Sequence, residues 1–293
     1  MNRPPARAAI EVMRGYYDAI AGSRSMFAFL SPVRLHGWVA DAAAWAGQAA
    51  HVAEIGVGQG ELAARAVAQS QGIQTYDAID ISAAMLEATR QRMSPLRIST
   101  TVRFHQLDIA DTAACRTLGL DRFTRMMAIN VIQDVDAISA LANIRRMLQP
   151  GGLLRATVIR RETQDRFWLD DDAYDSTTGQ LYTSSTMHDL LGLPPLGLRH
   201  SGHAEKAFYR VQQFYTEVET RELFNAAGLT IVSMSVIEFP VEFVRQRWSS
   251  SLHRIALTSR QESLLEEWGG YPDAYDVVAM RPRVGPERAT PVG

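Results

Sequence analysis

The sequence predicts an α/β fold, a doubly wound parallel sheet with helices on both faces, and three observations predict it. Short apolar runs alternate with longer amphipathic segments from about residue 50 to 160, a rhythm that implies right-handed crossovers. One of these runs, Leu153 to Ile159, is rich in Leu, Val and Ile, as a parallel strand covered on both faces should be. Three glycines crowd the first strand–helix junction, where a tight turn and a close backbone approach are needed.

The first 48 residues read as helices, with Ile10, Met13, Tyr17 and Ile20 spaced by three and four. Pro32 and Gly37 punctuate a second helical stretch through Trp38, Ala42 and Trp45. His51 to Ile55 is a strand and Glu61 to Gln69 an alanine-rich helix. Ile73 to Ile79 is the second strand, followed by a helix from Ser82 to Arg92. Thr101 to Leu107 alternates as a strand, and Phe123 to Ile129 is the fourth. The next helix is capped by Asp136, puts Ile138, Leu141, Ile144 and Leu148 on one face, and stops at Pro150-Gly151-Gly152. Leu153 to Ile159 is the fifth strand. A capping box at Thr216 and Glu219 starts a helix that stops at Gly228, and Leu229 to Ile237 follows as a strand. Tyr275 to Met280 is the last strand, reached through a long stretch with Trp248 and Trp268. The expected organisation is a helical cap over 1–48, an α/β domain over 49–160 and 215–281, an insertion over 161–214, and tails that fray at 1 to about 8 and 282–293.

With 293 residues the chain can bury a core without disulfides, and its single cysteine, Cys115, allows none within the chain. A net charge of -2 gives no electrostatic footprint for nucleic acid. No apolar stretch reaches the ~18 residues of a membrane span, and no leader pattern follows Met1, so a cytoplasmic protein is expected. Lys206 is the lone lysine, a habit of composition rather than a functional signal.

The glycine loop Glu54-Ile-Gly56-Val-Gly58-Gln-Gly60 precedes a helix whose first N–H groups favour an anionic group. A G-x-G pattern alone is shared by many nucleotide-binding enzymes. Spacing separates them: a dinucleotide fingerprint wants Gly or Ala at 61, where Glu61 would repel a pyrophosphate. Asp80 ends the second strand, where a carboxylate can accept from both ribose hydroxyls. Asp108 ends the third, where it can accept from an adenine amino group. Either aspartate alone reads as a cap or turn residue, but both stand on the edge where ligands bind in open α/β sheets.

Val52 to Gly60, Tyr76 to Ser82, Phe104 to Asp111 and Leu148 to Leu153, taken in order, resemble the class I S-adenosylmethionine-dependent methyltransferase family, in its small-molecule, natural-product branch. The likeness covers about residues 50 to 160, with a weaker echo in Tyr215 to Val232. It implies a Rossmann-like methyltransferase fold, seven strands with the last, Tyr275 to Met280, antiparallel. It implies S-adenosylmethionine as cofactor and S-adenosylhomocysteine as product. Glu54, Gly56, Gly58 and Gly60 would shape the pocket for the methionine portion, and Asp80 would hold the ribose. Ile81 would pack on the adenine, with Asp108 and the Ile109 amide on its edge. Asn130 matches the position whose backbone faces the methyl donor, and Tyr16-Tyr17-Asp18 resembles a tyrosine-containing helix that covers the cofactor. Many small-molecule members carry a histidine pair after the fourth strand; here the run is Asn130-Val-Ile-Gln133-Asp134, which leaves no obvious base there.

The acceptor is to be sought in the N-terminal helices and the insertion, read as a helical lid over an apolar pocket. Trp168, Tyr182, His188 and Tyr209 are the candidate substrate contacts, and His188 the candidate base. His200 with His203, and Asp170-Asp171-Asp172, lack a complete ligand set, so no metal is expected. Leu35-His36-Gly37-Trp38 is similar to the region ahead of the glycine loop in methyltransferases of prenyl chains and sterols, where aromatic rings can steady a carbocation. O-, N- and C-methylation of a small apolar or aromatic molecule in secondary metabolism all stay open, a terpenoid or indole-terpenoid carbon among them. A nicotinamide-dependent oxidoreductase is the rival enzyme and would bind NAD. A non-catalytic protein of the same fold is the rival outside enzymology. The N-terminal helices are also expected to reach a neighbouring subunit of a homo-oligomer.

Overall fold

The computed structural model describes residues 10–11, 13–15, 17–18, 21, 33–70, 72–96, 99–167, 174–183, 210–242, 244–245 and 257–283; the side chains of 33–36, 181–183, 210 and 211 are not among them. Five strands alternate with helices as the periodicity predicts: β1 (His51–Ile55), β2 (Thr75–Asp80), β3 (Thr101–Gln106), β4 (Phe123–Ala128) and β5 (Leu148–Ile159). Between and before them lie α1 (Val33–Ala46), α2 (Glu61–Gln69), α3 (Ala83–Met93), α4 (Thr112–Arg116) and α5 (Ala137–Met147). After α6 (Arg161–Phe167) come β6 (Tyr174–Asp175), β7 (Gln180–Thr183) and β8 (Arg210–Gln213), then α7 (Glu217–Ala226), β9 (Thr230–Phe239), α8 (Ser259–Trp268) and β10 (Tyr271–Met280).

The main sheet has seven strands in the order β3-β2-β1-β4-β5-β10-β9. β1 to β5 pair in parallel, whereas β10 lies antiparallel between β5 and β9, as the resemblance implies for the last strand. The order reverses beside β1, so a topological switch point lies at the carboxyl ends of β1 and β4, where such sheets bind ligands. One face is covered by α1, α2 and α3, with Tyr76, Met127 and a row of alanines in its core. The other is covered by α4, α5 and α7 over Phe123, Met126, Leu154 and Phe224. β3 alternates exposed and half-buried residues, as an edge strand should. Beneath the sheet Asp77 is fully buried and accepts from Arg122 at 2.9 Å through both oxygens, with His105 at 2.7 Å.

Two expectations need correction. The core face of α5 is Ala137, Ala140, Leu141, Ile144 and Met147, and Ile138 is 59% exposed. The apolar stripe lies one residue to the side, because small alanines rather than Ile138 let the helix settle on the sheet. The fifth strand starts at Leu148, not Leu153: the chain runs extended through Pro150-Gly151-Gly152, and Gly151 takes φ 82°. A Cβ at Gly152 would meet the Gln149 and Phe123 carbonyls at 2.9 and 3.0 Å, so only glycine fits where β5 shifts register against β4. The insertion, expected to be helical, holds α6 and a three-stranded antiparallel sheet in order β6-β7-β8 among the described residues. Its β6–β7 turn is tied by Asp175, which accepts from the Thr177 amide at 2.9 Å.

Candidate functional site

β1 ends at Ile55 and turns through Gly56, Gly58 and Gly60 at φ 65°, 54° and 75°, left-handed values that favour glycine. Two of the three have no room for a side chain. A Cβ at Gly56 would overlap Val131 Cγ2, and one at Gly60 would come within 2.5 Å of Thr89. The loop is pinned from outside: the Thr89 hydroxyl donates to the Gly58 carbonyl at 2.7 Å and Arg92 to the Gln59 carbonyl at 2.8 Å.

Asp80, 6% exposed, couples this loop to the end of β2. One carboxylate oxygen accepts from the Gly58 amide and the other from the Ser82 amide, each at 2.9 Å. Burial raises its pKa, and those amides oppose the rise. Each oxygen keeps a lone pair for a further donor. Glu54, 4% exposed, faces a different environment: the Tyr76 hydroxyl donates to its Oε2 from β2. Burial pushes the Glu54 carboxyl up to about 8, with Tyr76 opposing and Asp80 adding to the rise, so Glu54 is largely protonated at neutral pH.

Asp108 follows β3 and accepts from the Ala110 amide at 2.9 Å; burial raises its pKa, and Arg14 lies close enough to oppose. Ile109 is buried in the core with Cys115 and Leu141, so its backbone is what it can offer a ligand. Ile81 is half-buried, and its carbonyl accepts from Gln106 at 3.3 Å. Asn130 takes φ 55° just after β4. Its amide donates to Thr157 Oγ1 at 2.8 Å, and its side-chain oxygen accepts back from that hydroxyl at 3.2 Å. The fold thus brings Glu54, the glycines, Asp80, Asp108 and Asn130 to one sheet edge.

Described residues between 10 and 18 are helical and cross above this edge. Tyr17 donates to Asp134 Oδ2 at 3.1 Å. Asp18 accepts from the Ser82 hydroxyl at 2.5 Å and the Ala84 amide at 3.3 Å, at the start of α3. Gln59 donates to the Ala21 carbonyl at 3.0 Å. Sequence reasoning singled out Tyr17 but missed Asp18, Tyr76, Gln133, Asp134 and Thr157 as members of the site. The Tyr17-Asp18 and Tyr76-Asp77 pairs stood inside quoted motifs, so the signal was present without its partner.

Trp168, His188 and Tyr209 lie outside the described residues, as do His200, His203 and Asp170-Asp171-Asp172. Tyr182 lies on β7, with its side chain not described. Among the described residues no group of three or more His, Cys, Asp or Glu is placed to hold a metal, and no helix is long and apolar enough to cross a membrane. Trp38 stands on α1, and its indole N–H donates to Asp276 at 3.1 Å. Arg155 braces the same carboxylate at 3.0 and 2.6 Å. Trp38 and Asp276 form one wall, and Ile237 and Phe239 another, of a cleft of about 220 Å³. Asp276 pairs with Thr157, so the cleft opens one strand away from the hydroxyl that holds Asn130.

Residues 53–154 match the family model of a methyltransferase domain. The compactin diketide synthase of Penicillium citrinum is 25% identical over 239 residues, 76% of this chain and 9% of that protein. The squalestatin tetraketide synthase of a Phoma species is 28% identical over 59% of this chain and 7% of its own length. The chain therefore spans less than a tenth of the curated relatives it matches. A geranyl diphosphate C-methyltransferase from Streptomyces coelicolor, solved with Mg2+, geranyl diphosphate and S-adenosylhomocysteine, superposes with a TM-score of 0.60 at 15% identity, over 94% of this chain and all of that one. The 1,6-didemethyltoxoflavin-N1-methyltransferase of Burkholderia thailandensis gives 0.55 at 15% identity, over 96% and 92% of the two chains. Both likenesses are of fold.

Proposed function

We propose, from the premise that residues 53–154 form a methyltransferase domain of the S-adenosylmethionine-dependent class, that this chain moves a methyl group from that cofactor to a small, largely apolar or aromatic acceptor. The observation that carries the reading is the helix over the sheet edge, tied to the crevice through Tyr17, Asp18 and the Ala21 carbonyl. A covered crevice of this kind suits a small molecule that can be enclosed and not a polymer that must thread past. The bound cofactor supplies an electrophilic methyl on a sulfonium. The chain supplies position: Asp80 offers two lone pairs to a ribose, Asp108 one to an adenine amine, and the glycines let backbone approach the amino-acid end. Alignment and exclusion of water are worth about 7–11 kcal/mol, so a dedicated base is needed only where the acceptor must lose a proton.

Carbon is the acceptor favoured here: the Streptomyces coelicolor neighbour is a C-methyltransferase, and the aromatic wall of Trp38 suits an apolar chain. Oxygen and nitrogen acceptors are the alternatives. The oxidoreductase reading is disfavoured because Gly60 packs against Thr89 and Glu61 opens α2, which places a carboxylate at a pyrophosphate's helix start.

The test is calorimetric titration with S-adenosylhomocysteine and with NADH, followed by transfer of labelled methyl to prenyl, aromatic and β-dicarbonyl acceptors. Binding of the first and not the second is expected; the reverse would overturn the reading. Binding without transfer to any acceptor class would favour a non-catalytic protein.

A further inference from the structure

The two edges of the main sheet differ. β3 carries Arg103 and His105, side chains of the kind that keep an edge strand from pairing with another chain. β9 has no such guard: from Thr230 to Phe239 it holds no lysine, arginine or proline, and Glu238 is its one carboxylate. Among the described residues no strand pairs with its outer side, so the backbone N–H and C=O groups there form an open ladder. Register shifts between Pro272 and Ala274 and between Val278 and Ala279 of β10 bracket a regular, uncharged stretch, Ser233–Ile237. Val236 within it is 40% exposed, and Val232, which the second shift leaves out of the ladder, is 58% exposed. The cleft between Trp38 and Ser235 to Phe239 follows the same strand on the α1 face.

The strand itself specifies a partner. A two-fold axis normal to the sheet through Ser235, the midpoint of the regular stretch, pairs β9 antiparallel with β9 of a second copy and keeps each face on its own side. Val236 then lies opposite Met234 of the partner subunit, and Glu238 opposite Val232 of the partner subunit, so apolar side chains meet across the axis and the two Glu238 carboxylates stand far apart. Charge fits the same arrangement. The Phe239 end bears Glu238 and Glu242, both exposed. The Thr230 end is flanked by arginines: Arg145 donates to the Gly228 carbonyl at 3.1 Å, and Arg281 and Arg283 follow Met280, which pairs with Thr230. Antiparallel pairing brings the acidic end of each copy to the basic end of the other.

We propose that β9 is a homodimer interface, at which two copies of this chain join edge to edge along Ser233–Ile237 and merge their seven-stranded sheets into one. Because β3 is guarded, each copy offers one such edge, and assembly closes at two. The proposal stands apart from the cofactor reading, since β9 carries none of the candidate cofactor residues.

Sedimentation velocity on the full chain over a concentration series should show a monomer–dimer equilibrium. Amides of residues 231–238 should exchange more slowly as concentration rises, while those of 10–18 stay unchanged. Val236→Lys sets two like charges diagonally across the axis and should weaken the dimer about tenfold or more. Glu238→Arg, at an exposed position, should weaken it too by turning each acidic end basic. Both variants should unfold cooperatively at the native midpoint when diluted to monomer; if Val236→Lys does not, Glu238→Arg carries the test. A native chain that stays monomeric up to about 1 mM would overturn the proposal, as would assembly beyond two copies. A dimer indifferent to both substitutions would overturn it as well. Concentration-dependent protection at 10–18 and none at 231–238 would place the contact on the N-terminal helices instead.

Discussion

Asp80 and Glu54 are buried to similar degrees but meet different partners. Asp80 has two backbone amides and stays competent as a paired acceptor; Glu54 has one hydroxyl and is pushed up to about 8. Replacing Asp80 with alanine removes the acceptor on which the Gly58 and Ser82 amides and a ribose all converge. S-adenosylhomocysteine affinity should fall by about 1–3 kcal/mol in a calorimetric titration, and unchanged affinity would take Asp80 out of the site. For Glu54 the sign follows from linkage. Its folded pKa lies above the usual 4.5, so the folded chain binds this proton more tightly than the unfolded one. That contribution to stability is complete below about 4.5 and is lost as pH rises through about 8. Against Glu54→Gln, the native chain should lose thermal midpoint progressively across this window; parallel curves would refute the assignment. A cationic ligand reverses the balance, since positive charge nearby favours the carboxylate. Both aspartates and the glycines were legible because each stands at a strand end beside its own motif. Thr157 was not, since its meaning comes from Asn130, which lies on another element.

At the level of elements, local chemistry was read well and packing direction less so. The capping box at Thr216 forms as its spacing predicts, with the Thr216 hydroxyl accepting from Glu219 at 3.1 Å and the Glu219 carboxylate from the Thr216 amide at 2.7 Å. The strands followed from the apolar runs, the antiparallel last strand from the family resemblance, and their order in the sheet only from the structure. α5 shows the limit. Ile138, Leu141 and Ile144 have helical spacing, but so does the stripe Ala137, Ala140, Ile144 and Met147, and only the sheet decides which is inside. Two substitutions on one helix test this. Ile138→Ser should change unfolding free energy by no more than about 0.5 kcal/mol, and Leu141→Ala should cost about 2–5 kcal/mol, read from denaturant midpoints. Equal effects would put Ile138 back in the core. In the insertion the aromatic content said nothing of architecture. The Asp175-Ser-Thr-Thr-Gly179 run, a turn sequence with glycine at φ 68°, was the better signal for the sheet found there.

For the molecule as a whole, the sheet edge and the segment above it work as one device. Three contacts hold that segment to three different elements: Tyr17 to the turn after β4, Asp18 to the start of α3, and the Ala21 carbonyl to the glycine loop. The glycine loop carries candidate cofactor residues, and the other two elements follow closely on Asn130 and on Asp80-Ile81, so ligand and cover share one frame. A ligand that binds only the covered state shifts the population toward it by its differential affinity. Asp18→Ala removes the acceptor of the Ser82 hydroxyl and Ala84 amide, a loss of about 0.5–1.5 kcal/mol per hydrogen bond, without touching the proposed ribose or adenine contacts. The variant should therefore open more often while it keeps an intact pocket. Amide hydrogen exchange at residues 10–18 and at Ala84 should speed up about threefold or more. Saturating S-adenosylhomocysteine should restore much of the protection, because binding energy closes the cover again. Cofactor release, followed by stopped flow, should quicken by a comparable factor with little change in association rate. If exchange at 10–18 proved indifferent both to Asp18→Ala and to the ligand, the segment would be a fixed part of the wall, and access to the crevice would have to lie elsewhere.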